Sequence, residues 1–297
     1  MNIAIITGGI STERAVALRS GANMQDWVTT AGHTSDIYDF PTDIPDFLSK
    51  YDTYDLVIPV LHGIYGEDGQ ITAFLATLGC GYASSDATVH ALCIDKHLTN
   101  QVVVNLGVKV PRSLYLQRGQ RIQILESPLV CYPVITKPNK GGSSIGATKV
   151  DDRSELIGTQ ATISDDDILI QECIEGREFT VGVYRDRTGY HTLPIMEIMS
   201  LKNDFFDYEE KYETDGSNEV WMEGEDDLQK RLSSESLLIC KYIGTRGVVR
   251  IDWRYDGREF YFLEVNTIPG FTSGSFIPKM WKKAGKSEGE IIEMLSI

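Results

Sequence analysis

At 297 residues, 42% hydrophobic and 24% charged, the chain is long enough for a large core and for two or three domains of ordinary globular composition. Its net charge of −15 argues against nucleic acid or an anionic membrane as a partner, since both attract basic surfaces. The five cysteines (Cys80, Cys93, Cys131, Cys173 and Cys240) are scattered and contain no CxxC, which fits reduced thiols in a cytoplasmic protein better than disulfides or structural zinc. The opening MNIAIITGG has no basic region, so no signal peptide is expected, and no run approaches the ~20 apolar residues of a membrane-spanning helix.

In chain order, residues 2–7 (NIAIIT) read as a buried strand, the usual opening of an open α/β sheet. Gly8-Gly9 and Ser11-Thr12-Glu13-Arg14 follow, then a helical pattern to about Ala31. A strand, a glycine turn and a helix start make a place for small anions or nucleotides, although no third glycine completes a dinucleotide fingerprint. Residues 55–61 (DLVIPVL) form a second buried strand that ends in the loop His62-Gly63-Ile64-Tyr65-Gly66-Glu67-Asp68-Gly69. Open α/β sheets bind ligands in such loops, at the carboxyl ends of their strands. From about Ala87 to Asn105 the pattern is one helix with Asp95-Lys96 inside it, and residues 107–111 read as the turn and strand that open a second domain.

Strand 134–137 leads into Gly141-Gly142-Ser143-Ser144-Ile145-Gly146. Glycines let backbone amides wrap a phosphate, and hydroxyls add donors. No Gly-Lys-Ser/Thr opens a following helix, so this is not a Walker A loop; the apolar run 145–150 makes it a hairpin tip. Residues 167–174 are a strand, and 181–184 begin another sheet with which 193–198 pair. Residues 202–227 mix acids, turn residues and the aromatics Phe205, Phe206, Tyr208, Tyr212 and Trp221 without a period. They read as a long ordered loop, a kind that commonly serves as a lid. A helix over 225–243 and a closing amphipathic helix pair around Gly285 complete the list of elements.

The stretch Val248–Gly270 carries the most chemistry. It reads as two strands joined by a tight turn at Asp256-Gly257. Arg250 and Asp252 share one face of the first strand, and Glu264 and Asn266 share one face of the second. If those faces coincide, hard oxygen ligands suited to Mg²⁺ meet a guanidinium able to stabilise developing negative charge. Val248, Val249, Ile251, Phe262, Leu263 and Val265 make both strands core-bound.

The pattern Gly247-x-x-Arg250-Ile251-Asp252 with Leu263-Glu264-Val265-Asn266-Thr267-x-Pro269-Gly270 resembles the metal-binding end of ATP-grasp ligases, and more narrowly the D-alanine–D-alanine ligase family. GGxSxE at the first glycine turn, HGxxGEDG after the second strand and FDYExKY in the acidic loop are similar to that family's signatures; Thr72 departs from its commoner glutamine. The resemblance implies an α/β chain with the three-domain ATP-grasp fold: an N-terminal open parallel-sheet domain (1–95), a central domain (96–178), and a C-terminal domain (179–297) with an active-site lid at 202–227.

It further implies ATP and two Mg²⁺ (or Mn²⁺) ions as cofactors, two D-alanines as substrates and a homodimer. Glu13 meets the amino group of the first D-alanine, and Ser143 and Tyr212 join Glu13 in closing the lid. Arg250 stabilises the oxyanion. Ser275 and Gly270 hold the second carboxylate, and His62 and Lys211 lie beside substrate. Lys96, Lys137 and Ser144 contact nucleotide phosphates and Glu178 the ribose. Glu172 or Gln171 faces adenine, with Glu172 taken as the nucleotide ligand. Asp252, Glu264 and Asn266 hold the metal. The implied reaction joins two D-alanines through an acyl phosphate for peptidoglycan precursors. D-lactate, D-serine or another carboxylate–amine pair is the alternative, and Tyr212 speaks against the lactate form.

Overall fold

A computed structural model describes residues 1–120, 131–142, 145–160, 167–200 and 217–296. Strand β1 (Asn2–Gly8) is flanked in parallel by β2 (Thr34–Phe40) and β3 (Leu56–Pro59). Helix α1 (Arg14–Thr30) covers this sheet, burying Val16, Ala17, Met24 and Val28. Strand β2 is a polar edge with only Tyr38 and Phe40 buried, which is why its periodicity is weak in the sequence.

Helices α2 (Ile44–Leu48) and α3 (Gln70–Leu78) precede a departure from the expected long helix: residues 87–105 are two helices, α4 (Ala87–Ile94) and α5 (Lys96–Asn105). Asp95 breaks them apart. Its backbone is extended (φ −84°, ψ 96°), and its carboxylate accepts from the Leu98 amide at 3.0 Å as the cap of α5. A short acid that satisfies an orphan amide favours a helix start over a helix interior. The expected strand at 107–111 is also displaced: β4 is Ser113–Leu116, while the Lys109 carbonyl accepts from Phe262 in another sheet at 2.9 Å.

Strands β4, β5 (Val134–Pro138), β6 (Thr148–Val150) and β7 (Ile168–Glu172) form an antiparallel sheet in the order β4-β7-β5-β6, with α6 (Arg153–Gln160) following β6. The antiparallel β5–β6 pair is a hairpin, with residues 139–142 and 145–147 of its connection described. Val134, Ile168 and Ile170 pack on one face with Leu116, Val150 and Leu156. Ile135, Lys137 and Gln171 lie on the other.

The largest sheet runs β11-β10-β8-β12-β13, with β9 (Gly189–Thr192) paired to β8 (Arg177–Asp186). Its other members are β10 (Met196–Ser200), β11 (Ser217–Trp221), β12 (Val248–Tyr255) and β13 (Phe260–Asn266). Residues 217–221, expected in a loop, thus form an edge strand on β10. One face of this sheet packs Phe179, Val181, Val183, Val249, Ile251 and Trp253 against α7 (Asp226–Ile243). The chain closes with α8 (Phe276–Lys283) and α9 (Glu288–Leu295). Among the described residues no helix is long and apolar enough to cross a membrane.

Candidate active site

The side of the large sheet away from α7 carries the charge. Register places Glu178 opposite Arg254, Thr180 opposite Asp252 and Gly182 opposite Arg250 across β8 and β12. Across β12 and β13, Asp252 faces Glu264 and Arg250 faces Asn266. The two faces inferred from the sequence therefore coincide.

A bulge makes this possible. The register shifts between Asp252 and Trp253, so that Trp253 pairs with Phe262 rather than Leu263. Phe260, Phe262 and Val265 turn inward, while Leu263 and Glu264 both line the ligand side. Leu263 was expected in the core; the extra residue moves it to the cavity wall. Behind the charges, Trp253 meets Phe262 edge-on at 5.9 Å and Phe260 at 6.4 Å, a rigid apolar backing.

Arg250 donates to Asp252 through Nε at 2.9 Å and Nη2 at 2.8 Å, and Thr180 donates to the same carboxylate at 2.7 Å. Lys96 is buried at the start of α5. Its ammonium lies 3.2 Å from Glu264 and donates to the Gly141 carbonyl at 2.5 Å. The break at Asp95 is what turns it inward. Oδ1 of Asn266 is buried without a hydrogen-bond partner, next to the two carboxylates. A buried acceptor left unpaired is costly, and a cation would satisfy it. Among the described residues no three His, Cys, Asp or Glu side chains cluster as a metal site. The donor set is instead two carboxylates and an amide oxygen, which fits Mg²⁺ completed by substrate phosphates.

Between the two antiparallel sheets lies a cavity of about 450 Å³. Lys137, Gln171 and Gly142 contribute one wall; Glu178, Asp252 and Glu264 contribute the other. Glu178 is held by Arg254 at 3.0 Å. Glu172 also touches the cavity but is held at both oxygens by Arg112, at 3.1 Å each, which keeps its carboxyl below the ordinary value.

Glu13 immediately precedes α1, without a side-chain bond to the helix end, and is buried. A Cβ on Gly142 would come within 3.0 Å of its Oε2, so the tip of the glycine hairpin closes directly onto this carboxylate. Ser11 donates to the His62 carbonyl at 2.7 Å, joining the first two loops. His62 Nδ1 is 2.9 Å from the Ile268 carbonyl. A carbonyl only accepts, so the proton sits on Nδ1 and the buried, unpartnered Nε2 is left as an acceptor. Burial lowers the His62 pKa and Arg250 lowers it further, while Glu13 opposes, so the ring is biased toward the neutral form. Glu67 and Asp68 tie the loop: Glu67 accepts from the Gly63 amide at 2.9 Å, and Asp68 accepts from Tyr65 and Gln70 at 2.9 and 3.0 Å. Burial, then the Glu13 charge, pushes the Glu67 carboxyl up to about 8.

Ser275 starts α8, with its hydroxyl 2.8 Å from that of Thr272. A Cβ on Gly270 would meet that hydroxyl at 2.6 Å, so only glycine allows this approach. The loop is seated on α1, where Ser20 accepts from Phe271 and Asn23 donates to its carbonyl, both at 3.1 Å. Ser20 is two helical turns, roughly 10 Å, along from Glu13. Ser143, Ser144, Lys211, Tyr212 and residues 202–216 of the expected lid lie outside the described residues. Sequence reasoning missed the supporting partners Thr180, Arg254 and Arg112. Arg254 was readable, being two residues beyond Asp252 on one face; Thr180 and Arg112 carry no local signal.

Residues 105–296 match the family model described as the D-ala D-ala ligase C-terminus. A D-alanine–D-alanine ligase of Coprothermobacter proteolyticus is 34% identical, the match covering 99% of this chain and 98% of that protein. One from Thermotoga petrophila is 32% identical, over 99% and 96%. Among solved structures, the Bacillus anthracis D-alanine–D-alanine ligase complexed with ATP superposes with a TM-score of 0.86 at 26% identity, over 99% of this chain and 96% of that one. The VanG D-Ala:D-Ser ligase of Enterococcus faecalis gives 0.81 at 30% identity, over 99% and 98%.

Proposed function

The chain belongs to the D-alanine–D-alanine ligase family, and from that premise we propose how its residues carry out the ATP-dependent joining of two D-alanines. The enzyme is an ATP-dependent ligase of the ATP-grasp fold, and its dipeptide serves peptidoglycan precursor synthesis. The single observation that carries the residue assignment is the shared face of Arg250, Asp252, Glu264 and Asn266, with the Asn266 oxygen buried and unpaired.

The γ-phosphoryl group passes from ATP to a carboxylate oxygen of the first D-alanine, giving ADP and an acyl phosphate. The amine of the second D-alanine attacks the acyl carbon, and phosphate leaves with the former carboxylate oxygen. Lys96 and Lys137 bind the polyphosphate, and Glu178, fixed by Arg254, binds the ribose. Asp252, Glu264 and Asn266 would hold Mg²⁺ (two ions in this reading), which would supply phosphate neutralisation when bound. Before nucleotide arrives, Arg250 and Lys96 neutralise those carboxylates. Glu13 pairs with the first ammonium. The Arg250 guanidinium stabilises the tetrahedral oxyanion, a role worth about 10²–10³-fold in comparable sites. His62 Nε2 accepts from the second amine, and Ser275 with the Gly270 backbone holds its carboxylate. The lid, with Lys211, Tyr212 and Ser143, excludes water that would hydrolyse the acyl phosphate. A homodimeric, cytoplasmic enzyme, where ATP is available, completes the reading.

The test is ADP release from ATP and Mg²⁺ with D-alanine, L-alanine, D-serine or D-lactate, with the product identified by mass. D-Alanyl-D-alanine from the D-alanine arm alone supports the reading. A mixed D-Ala–D-Ser product would move the chain to the D-Ala:D-Ser branch, and no D-alanine dependence would refute ligation.

A further inference from the structure

His90 is a buried titratable group with no part in the assignments above. It lies on α4, is fully buried, and both ring nitrogens are engaged: Nδ1 is 2.6 Å from the Thr267 hydroxyl and Nε2 is 2.8 Å from that of Ser84. Burial pushes its pKa down to about 4, so near neutral pH the ring is uncharged, with one nitrogen donating and the other accepting. Thr267 directly follows Asn266, and the next carbonyl along, that of Ile268, is the one 2.9 Å from His62 Nδ1. Two histidines that precede α5 thus grip successive residues at the end of β13. Beside them, Ser85 accepts from the Arg246 amide at 2.9 Å, just ahead of β12. The loop and helix that carry His90 therefore touch both strands of the hairpin that bears the carboxylates.

We propose that His90 is a positioning residue for the metal-facing oxygen of Asn266, acting through the Thr267 hydroxyl. The proposal rests on the ligase reading for Asn266 as a metal ligand. Oδ1 of Asn266 is buried and unpaired, so no hydrogen bond to that oxygen fixes where it points. Its aim is set by the backbone beneath it. Thr267 shares a rigid peptide unit with Asn266, and a hold on the Thr267 side chain restrains the torsions on either side of that unit. The imidazole supplies the hold as a planar ring fixed at both nitrogens. Partners of this kind, one step behind a metal ligand, typically change metal affinity by about 10–100-fold when removed.

The experiment measures Mg²⁺ binding in the presence of ADP by calorimetry, the Mg²⁺ dependence of turnover with D-alanine, and Tm without metal. It compares the wild-type enzyme with His90→Asn, His90→Gln, Thr267→Ser and Thr267→Val. An asparagine amide reaches the place of Nδ1 and keeps the Thr267 bond, whereas a glutamine amide reaches the place of Nε2 and keeps only Ser84. His90→Gln and Thr267→Val weaken Mg²⁺ binding about tenfold and raise the KM for Mg²⁺ in step, while kcat at saturating Mg²⁺ stays within about twofold. His90→Asn and Thr267→Ser stay within about twofold of the wild-type Mg²⁺ affinity, although His90→Asn lowers Tm as His90→Gln does. A histidine that serves packing alone leaves Mg²⁺ affinity equal in all the folded variants, and that result overturns the proposal. Equal weakening by His90→Asn and His90→Gln overturns it too. The Thr267 pair, which leaves the ring in place, decides the matter if a His90 variant does not fold. Wild-type enzyme that binds no Mg²⁺ with ADP refutes the metal assignment itself, whereas Mg²⁺ binding indifferent to the variants refutes the role of His90 alone.

Discussion

Replacing Arg250 by alanine separates two functions of one side chain. In the structure Arg250 is 13% exposed and gives two hydrogen bonds to Asp252, itself 8% exposed. Truncation leaves a buried carboxylate held by the Thr180 hydroxyl. Breaking a buried ion pair from one side typically costs 3–5 kcal/mol, and the retained Thr180 bond puts the expected loss near about 3 kcal/mol. For a chain of this size that lowers Tm by about 6 °C. Turnover falls by about 10²–10³-fold, because the oxyanion loses its guanidinium. Added Mg²⁺ recovers part of the lost Tm in Arg250→Ala, by neutralising Asp252 in place of the arginine, and does so more than in wild type. Calorimetric scans with and without Mg²⁺, beside ADP release measured well below the lowered Tm, read all three effects. Near-normal ADP release, or an unchanged Tm, would refute the dual role.

Three further outcomes follow from the geometry. Gly142→Ala puts a methyl 3.0 Å from Glu13 Oε2, so the hairpin seats less closely and KM for D-alanine rises several-fold, with little change in Tm. Glu67 binds a proton in the fold up to about pH 8 but releases it near 4.5 when unfolded. The folded state thus holds more protons between those values, and stability falls as pH rises through that window. Glu67→Gln flattens the fall, which Tm against pH from 5 to 8.5 would reveal. Thr267→Val removes the partner 2.6 Å from buried His90 Nδ1 and costs about 1–3 kcal/mol in denaturant unfolding.

The hairpin at 248–270 was the most legible part of the site because strand alternation is strict. Knowing that Arg250 and Asp252, or Glu264 and Asn266, share a face needs only the period. What alternation cannot anticipate is its own interruption: the bulge that takes Leu263 out of the core depends on pairing with β12 and on the Phe262 bond to Lys109, both distant in sequence. The burial of Lys96 was hidden for a similar reason. Its helical period runs through Asp95, and only the cap to Leu98 discloses the break. Partners such as Thr180 under Asp252 and Arg112 over Glu172 come from other strands or turns, so no local window contains them. The parallel sheet was legible at its buried strands β1 and β3 and not at polar β2, whose apolar content is too low to show a period.

The most direct measurement follows the carboxylate oxygen. D-Alanine labelled with ¹⁸O in its carboxyl group is incubated with enzyme, ATP and Mg²⁺, and the released phosphate is weighed by mass spectrometry. An acyl phosphate transfers one ¹⁸O to phosphate for each dipeptide formed, whereas unlabelled phosphate alongside dipeptide would contradict phosphorylation of the carboxylate and with it the roles given to Arg250, Lys96 and the metal-binding face.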